Sequence, residues 1–244
     1  MQIDGTEPTL TTPPDGEQPP MTQTLKIDFV SDIACPWCII GLGGLEKALD
    51  ALDGEIAADI VFHPFELNPA MPKGGQNSLE HIAEKYGLAA DQVCANRERI
   101  QERAAAIGFA MNTSDASRIY NTFDAHRLLA WAREKGRQIE LKRQLFQVYF
   151  TDQADPGDPD ALAAAAEAAG LDGTEARAIL DSDRYADQVR SEEAFWQGRG
   201  INSVPAVVVD NRYLISGGQP PEEFERQLRA IAAKLREEQT AATA

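Results

Sequence analysis

The sequence predicts an α/β chain: a mixed four-stranded sheet with a large all-helical insertion. Three observations predict it. Short β-type runs occur only towards the two ends of the folded part, at about 25–33 and 59–66 and again over about 205–216. From about 78 to 200 nearly everything is helical in pattern, with apolar residues three and four apart or runs of alanine. The first two runs flank one helix and so form a βαβ unit with parallel strands, whereas the last two are joined by a tight turn and run antiparallel.

Each element follows from its residues. Leu25 to Ile33 reads LKIDFVSDI and is the first strand. Pro36 suits the first turn of a helix, where its missing N–H is no loss, and Leu42, Leu45, Leu49 and Leu52 continue as one apolar stripe. Asp59 to Glu66, DIVFHPFE, is the second strand, closed by Asn68-Pro69 and Pro72-Lys73-Gly74-Gly75. Helices are predicted from Ser78 to Gly87, over 89–107, from Ser117 to Lys135, from Leu141 to Phe150, from Asp158 to Ala169, and near 174–181 and 183–198. Pro205 to Val209 and Arg212 to Ser216 form a hairpin about Asp210-Asn211. The last helix carries Phe224, Leu228, Ile231, Ala232 and Leu235 on one face.

This order divides the chain into a disordered tail over 1–22, a domain made of two halves at 23–77 and 201–240, and an inserted helical domain over 78–200. The tail is rich in proline, threonine and acidic groups and cannot bury enough apolar surface to order itself. With 43% hydrophobic and 25% charged residues the 244-residue chain has the composition of an ordinary globular protein. Its net charge of −16 opposes non-specific binding to nucleic acid or anionic membranes. No apolar run approaches the roughly 20 residues of a membrane span. The first 24 residues hold Asp4, Glu7, Asp15 and Glu17 but no Lys or Arg, unlike a secretory signal, so a cytoplasmic location is expected.

The chemistry concentrates at Cys35-Pro36-Trp37-Cys38. Cys35 falls at a helix N-terminus, where unpaired N–H groups and the macrodipole favour a thiolate. The two-residue spacing lets Cys38 attack a disulfide formed by Cys35, the chemistry of a thiol–disulfide oxidoreductase. A zinc site would need four ligands, and the other candidates, Cys94, His63, His81 and His126, do not pair at metal spacing, so no metal is expected. A purely structural bridge would close too short a loop to constrain the unfolded chain. His126, on the central helix of the insertion, is either a core histidine or a group over the site that favours the Cys35 thiolate as His⁺. Asp32, three residues before Cys35, either orients the loop and relays a proton or is a solvated turn residue. Cys94 reads as a small buried hydrophobe.

Further blocks accompany the cysteine pair. They are Ser31-Asp32-Ile33-Ala34 before it and Gly41 after it, Pro64-Phe65-Glu66-Leu67-Asn68-Pro69, Asn121 with Ala125-His126-Arg127-Leu128, Leu145-Phe146 with Tyr149-Phe150, Gly200-Ile201 with Val204-Pro205, and Ile215-Ser216-Gly217-Gly218-Gln219. In this order they resemble the DsbA-like proteins of the thioredoxin-like fold, and most closely their FrnE-like branch. The resemblance implies a disulfide oxidoreductase with Cys35 as nucleophile and Cys38 as resolving thiol. It also implies that Val204-Pro205 is a cis bond whose free backbone edge binds substrate. Without the resemblance, Pro205 reads rather as a trans residue ending a loop, since cis bonds are rare. No prosthetic group is implied. Glutathione is a candidate co-substrate, and the expected partners are protein or small-molecule thiols and disulfides, acting on a monomer or homodimer. The alternative is a glutathione-dependent enzyme of the 2-hydroxychromene-2-carboxylate isomerase or kappa transferase kind, whose active position is generally a serine. A binding protein using the groove between sheet and helices is the third reading.

Overall fold

Strand β1 (Gln23–Ser31) is the axis on which the rest is arranged. The structure is a computed structural model that describes residues 22–243, so the tail predicted over 1–22 lies outside them but for Thr22. Alternation along β1 puts Leu25, Ile27 and Phe29 on one face, all buried. Helix α1 (Pro36–Ala51) returns over that face, and β2 (Ile56–Pro64) pairs parallel with β1 from Gln23↔Ile56 to Ser31↔Pro64. The buried Ile56 lengthens this ladder, so β2 starts three residues before the predicted Asp59.

On the other side of β1 lies β5 (Ala206–Val209), antiparallel, and beyond it β6 (Tyr213–Ser216), giving the order β2-β1-β5-β6. The final helix α9 (Pro221–Thr243) packs beside α1, and its Phe224 and Leu228 share a buried cluster with Leu42, Leu45 and Phe29. Burying one such side chain contributes about 1.5–3 kcal/mol. A second cluster joins Val30, Ala206 and Val208 of the sheet to Trp196 and Ile201.

The insertion carries a two-residue ladder, β3 (Gln76–Asn77) with β4 (Arg118–Ile119), and helices α2 (Ser78–Tyr86), α3 (Ala90–Ala106), α4 (Phe123–Glu134), α5 (Gln138–Phe146), α6 (Pro159–Ala168), α7 (Gly173–Leu180) and α8 (Ala186–Gly198). Asn77, Asp158 and Asp172 cap α2, α6 and α7 by accepting backbone N–H groups, each contributing about 1 kcal/mol. Two predicted helices change shape. The one expected from Ser117 begins only at Phe123, because Arg118 and Ile119 pair with β3. The one expected over 141–150 is α5 followed by a π-helical turn, Gln147–Thr151.

Helix α5 is one of those that dock the insertion on the sheet. The Gln138 side chain accepts from the Phe62 N–H at 3.0 Å and donates to the Phe62 carbonyl at 2.9 Å. It thereby satisfies the free edge of β2 as another strand would. Among the described residues no helix is long and apolar enough to cross a membrane.

Candidate active site

The chain passes from β1 into α1 through Asp32 to Cys35, and the local chemistry fixes how Cys35 is presented. Cys35 is the N-cap of α1 in extended conformation (φ −93°, ψ 111°), and Pro36 takes the first helical position. No side chain caps this terminus, so the positive end of a 16-residue helix is left to the Cys35 sulfur. Both cysteines are free thiols. Cys35 retains 4% exposure and Cys38, one turn in, none, so only the first can meet an incoming group directly. Burial pushes the Cys38 thiol well above its ordinary range, and the hydrogen bond and charge of Cys35 push it further. Trp37 between them is 38% exposed, an apolar surface beside the accessible sulfur.

A distant loop completes the mouth of the site. The Val204-Pro205 bond is cis. The Cys35 thiol lies 3.7 Å from the Val204 carbonyl, and the Gly217 N–H donates to the Pro205 carbonyl at 2.9 Å. This approach depends on missing side chains. A Cβ on Gly41 would meet Gly218 Cα and Pro205 Cγ at 3.2 Å, and one on Gly218 would meet the Trp37 carbonyl oxygen at 2.8 Å.

Asp32 is buried, and its carboxylate gathers three segments. It accepts from the Ala34 N–H at 3.2 Å, the Leu67 N–H at 2.7 Å and the Thr122 hydroxyl at 2.7 Å. These tie the cysteine loop, the segment after β2 and the entry to α4 together. Burial alone would raise the Asp32 carboxyl, but His126 and these hydrogen bonds hold it below its ordinary value. Of the two readings of Asp32, the solvated turn is excluded. His126 is buried behind it, with Nε2 3.5 Å from Asp32 Oδ1 and without another hydrogen-bond partner among the described residues. It is a core residue packed beside Asp32.

Lys142 on α5 was not foreseen as a site residue. It is fully buried, and its Nζ has no hydrogen-bond partner among the described residues. The Nζ stands 4.9 Å from the Phe146 ring centre and 5.8 Å from that of Phe62. Burial pulls its ammonium down to about 8, against the pull of Cys38, Asp32 and Cys35 in the other direction. A signal was present in the sequence: Lys142 falls on the apolar stripe of α5, four residues after Gln138 and before Phe146. Thr122 was also missed.

The other sequence candidates lie elsewhere. Cys94 is half-buried on α3, 3.9 Å from Arg97 Nη2. His63 bridges Asp28 at 2.8 Å and Glu192 at 3.0 Å. His81 joins Gln76 at 2.7 Å to Asn68 at 2.9 Å. Among the described residues no group of His, Cys, Asp or Glu is placed to hold a metal ion.

The sequence profile of the DSBA-like thioredoxin domain matches residues 26–229. The structure is similar to that of SCO1869 of Streptomyces coelicolor, named a probable DsbA oxidoreductase: 38% identity, 84% of this chain and 88% of that one covered, TM-score 0.79. A 2-hydroxychromene-2-carboxylate isomerase matches in fold, with 14% identity, 90% of this chain and 99% of that one covered, and TM-score 0.63. In sequence, the uncharacterized protein YwbO of Bacillus subtilis is 26% identical over 206 residues, 84% of this chain and 96% of that protein.

Proposed function

The chain belongs to the DSBA-like thioredoxin domain family, and from that premise we propose that it is a thiol–disulfide oxidoreductase working through Cys35 and Cys38. One observation carries the reading: two free thiols share the first turn of α1, one reaching solvent and the other fully buried. That asymmetry suits a two-step exchange. Cys35, as thiolate, attacks a substrate disulfide and forms a mixed disulfide, and the first substrate sulfur leaves with the electron pair. Cys38 then attacks Cys35, the Cys35–substrate bond breaks, and the second substrate sulfur leaves as a thiol. The substrate disulfide is reduced and the cysteine pair oxidised. An external thiol of the glutathione class restores the dithiol, and the reverse sequence oxidises a substrate dithiol.

The remaining groups serve positioning. An extended substrate segment pairs with the backbone at Val204-Pro205 while its flanking side chains lie on Trp37. Asp32 holds the loop that presents Cys35. The chemistry needs no metal or prosthetic group.

The glutathione-dependent isomerase or transferase reading requires one activating group and has no use for Cys38. Insulin reduction measured beside glutathione conjugation tests the choice. Turnover of insulin disulfides that is lost in Cys35→Ser supports exchange. Conjugation or isomerisation that survives Cys38→Ser, without insulin reduction by the parent protein, overturns it.

A further inference from the structure

We infer that Arg190 of α8 is a positioning residue for Cys35, setting the spacing of two groups that hold the Asp32 carboxylate; the inference rests on the exchange reaction proposed above. Asp32 fixes the turn that presents Cys35 only while its own partners are held. Two of these, the Leu67 N–H and the Thr122 hydroxyl, come from separate connections, one after β2 and one before α4. Both residues lie outside helix and strand, so neither a ladder nor a helical turn sets their separation.

Arg190 touches both connections. Its Nη1 pairs with the carboxylate of Glu66, the neighbour of Leu67. Its guanidinium carbon stands 3.9 Å from the ring centre of Phe123, the neighbour of Thr122. Asn121 closes the circuit. Its amide nitrogen donates to Glu66 at 3.3 Å and to the Pro69 carbonyl at 3.1 Å, and its amide oxygen accepts from the Phe123 N–H at 2.9 Å. Lys85 also reaches the Leu67 carbonyl, at 3.0 Å, but its other hydrogen bond is to Asn68 on the same connection.

The charges explain why this position asks for arginine. Glu66 and Glu193 are both buried, and Glu193 lies 2.8 Å from the same Nη1. Burial raises the Glu66 carboxyl and Glu193 raises it further, while Arg190 acts the other way. One side chain thus meets two carboxylates and an aromatic face at once, a task for a planar, forked cation. Without it two buried like charges face each other, Glu66 loses the partner that fixes it, and the spacing of Leu67 and Thr122 relaxes. Asp32 then holds the cysteine turn less firmly.

The test uses reduced full-length protein at neutral pH and reads three quantities: Tm, the rate of Cys35 alkylation by iodoacetamide, and the proton shift of the Leu67 amide. In the parent that amide, bonded to a carboxylate at 2.7 Å, should resonate well downfield of an ordinary loop amide. In Arg190→Leu it should move upfield, and alkylation should slow about tenfold, as a small misplacement of a reacting group can cost that much or more. A lower Tm with the amide and the alkylation rate at parent values overturns the inference. Arg190→Leu combined with Glu66→Gln separates positioning from charge compensation. The double variant has no unpaired Glu66 carboxylate, so Tm should recover while alkylation stays slow and the amide stays upfield. Recovery of all three overturns the inference. Should Arg190→Leu not fold, Phe123→Leu takes its place, since it keeps the Glu66 pair and removes the ring under the guanidinium. The same slowing and upfield shift are expected, and parent values overturn the inference. Glutathione release from glutathione disulfide is followed in parallel. A parent protein that does not react with it refutes the exchange reaction, while alkylation and the Leu67 amide still decide the role of Arg190.

Discussion

The sulfur of Cys35 sits 3.7 Å from the carbonyl oxygen of Val204, although 169 residues separate the two in the chain. The two parts of the four-stranded sheet, far apart in the chain, therefore meet at this sulfur. The contact is set by backbone approach. Gly41 and Gly218 leave room for the Val204-Pro205 loop to close over the start of α1.

Gly218→Ala tests that closure. The added methyl would stand 2.8 Å from the Trp37 carbonyl oxygen, a backbone atom that cannot rotate away. Either the β6–α9 connection or the cysteine turn must shift, at a cost of about 1–3 kcal/mol. The expected result is a lower Tm together with a changed rate of Cys35 alkylation by iodoacetamide. Alkylation and Tm both equal to the parent would show that the loop is not held against the cysteine turn.

Asp32→Asn should loosen the site and remove a pH dependence. The Asp32 carboxyl is held below its unfolded value, so its ionised form stabilises the fold above the unfolded value of about 3.9. That stabilisation is lost as pH falls through the folded value. Asparagine keeps an acceptor but cannot match the charge-assisted bonds to Leu67, Ala34 and Thr122. A loss of about 2–4 kcal/mol is expected at neutral pH, with a flatter acid limb in the variant. Denaturant melts across the acid range check both, and parallel acid limbs would show that Asp32 is not the titrating group.

How much of this was legible from the residues differs from element to element. Strand β1 and helix α1 were clear, because their apolar residues repeat at two and at three to four, and Pro36 marks the helix start. The pairing of Arg118–Ile119 with Gln76–Asn77 was not, since a two-residue ladder has no period to detect. The π-helical turn after Phe146 carries the same dense apolar pattern as a regular helix. At the site, the Cys35–Cys38 spacing announced itself, whereas Val204-Pro205 was singled out only by resemblance. Asp32 was noticed, but nothing local to it reveals that Thr122, 90 residues on, would donate to it. Lys142 lies on the apolar stripe of α5, but the helix alone does not show that it is buried, because that burial comes from the packing of the insertion.

His63 provides a second pH test, outside the site. Its ring lies between Asp28 of β1 and Glu192 of α8, tying the helical insertion to the sheet. Burial alone would lower its value, but the two carboxylates raise it overall. A raised value stabilises fully below the unfolded value of about 6.5 and is lost as pH rises through the folded value. The parent Tm should therefore decline on the alkaline side of neutrality by a component absent in His63→Gln. That variant should cost about 1–3 kcal/mol, since it leaves partly buried carboxylates without their partner. Thermal melts at a series of pH values provide the check, and a difference between the two proteins that does not vary with pH would exclude a charged His63.

The last prediction concerns which sulfurs cross-link. Oxidation of the protein should give one intramolecular disulfide, between Cys35 and Cys38, with Cys94 remaining a thiol. Cys35 and Cys38 lie in the same turn of α1, where the Cys38 N–H already bonds to the Cys35 carbonyl at 3.0 Å. Cys94 stands on α3 among Arg97 and Asp115, with no second cysteine beside it among the described residues. The asymmetry in exposure then orders the single variants. Cys35→Ser removes the sulfur that meets substrate and should abolish exchange. Cys38→Ser keeps the attack but not the resolution, so a mixed disulfide between Cys35 and glutathione should accumulate and be released by dithiothreitol. Peptide mapping after blocking free thiols reads all three outcomes. A mixed disulfide that forms on Cys38 in Cys35→Ser as fast as on Cys35 in Cys38→Ser would reverse the assignment of nucleophile and resolving thiol, because full burial of Cys38 should deny it that reaction.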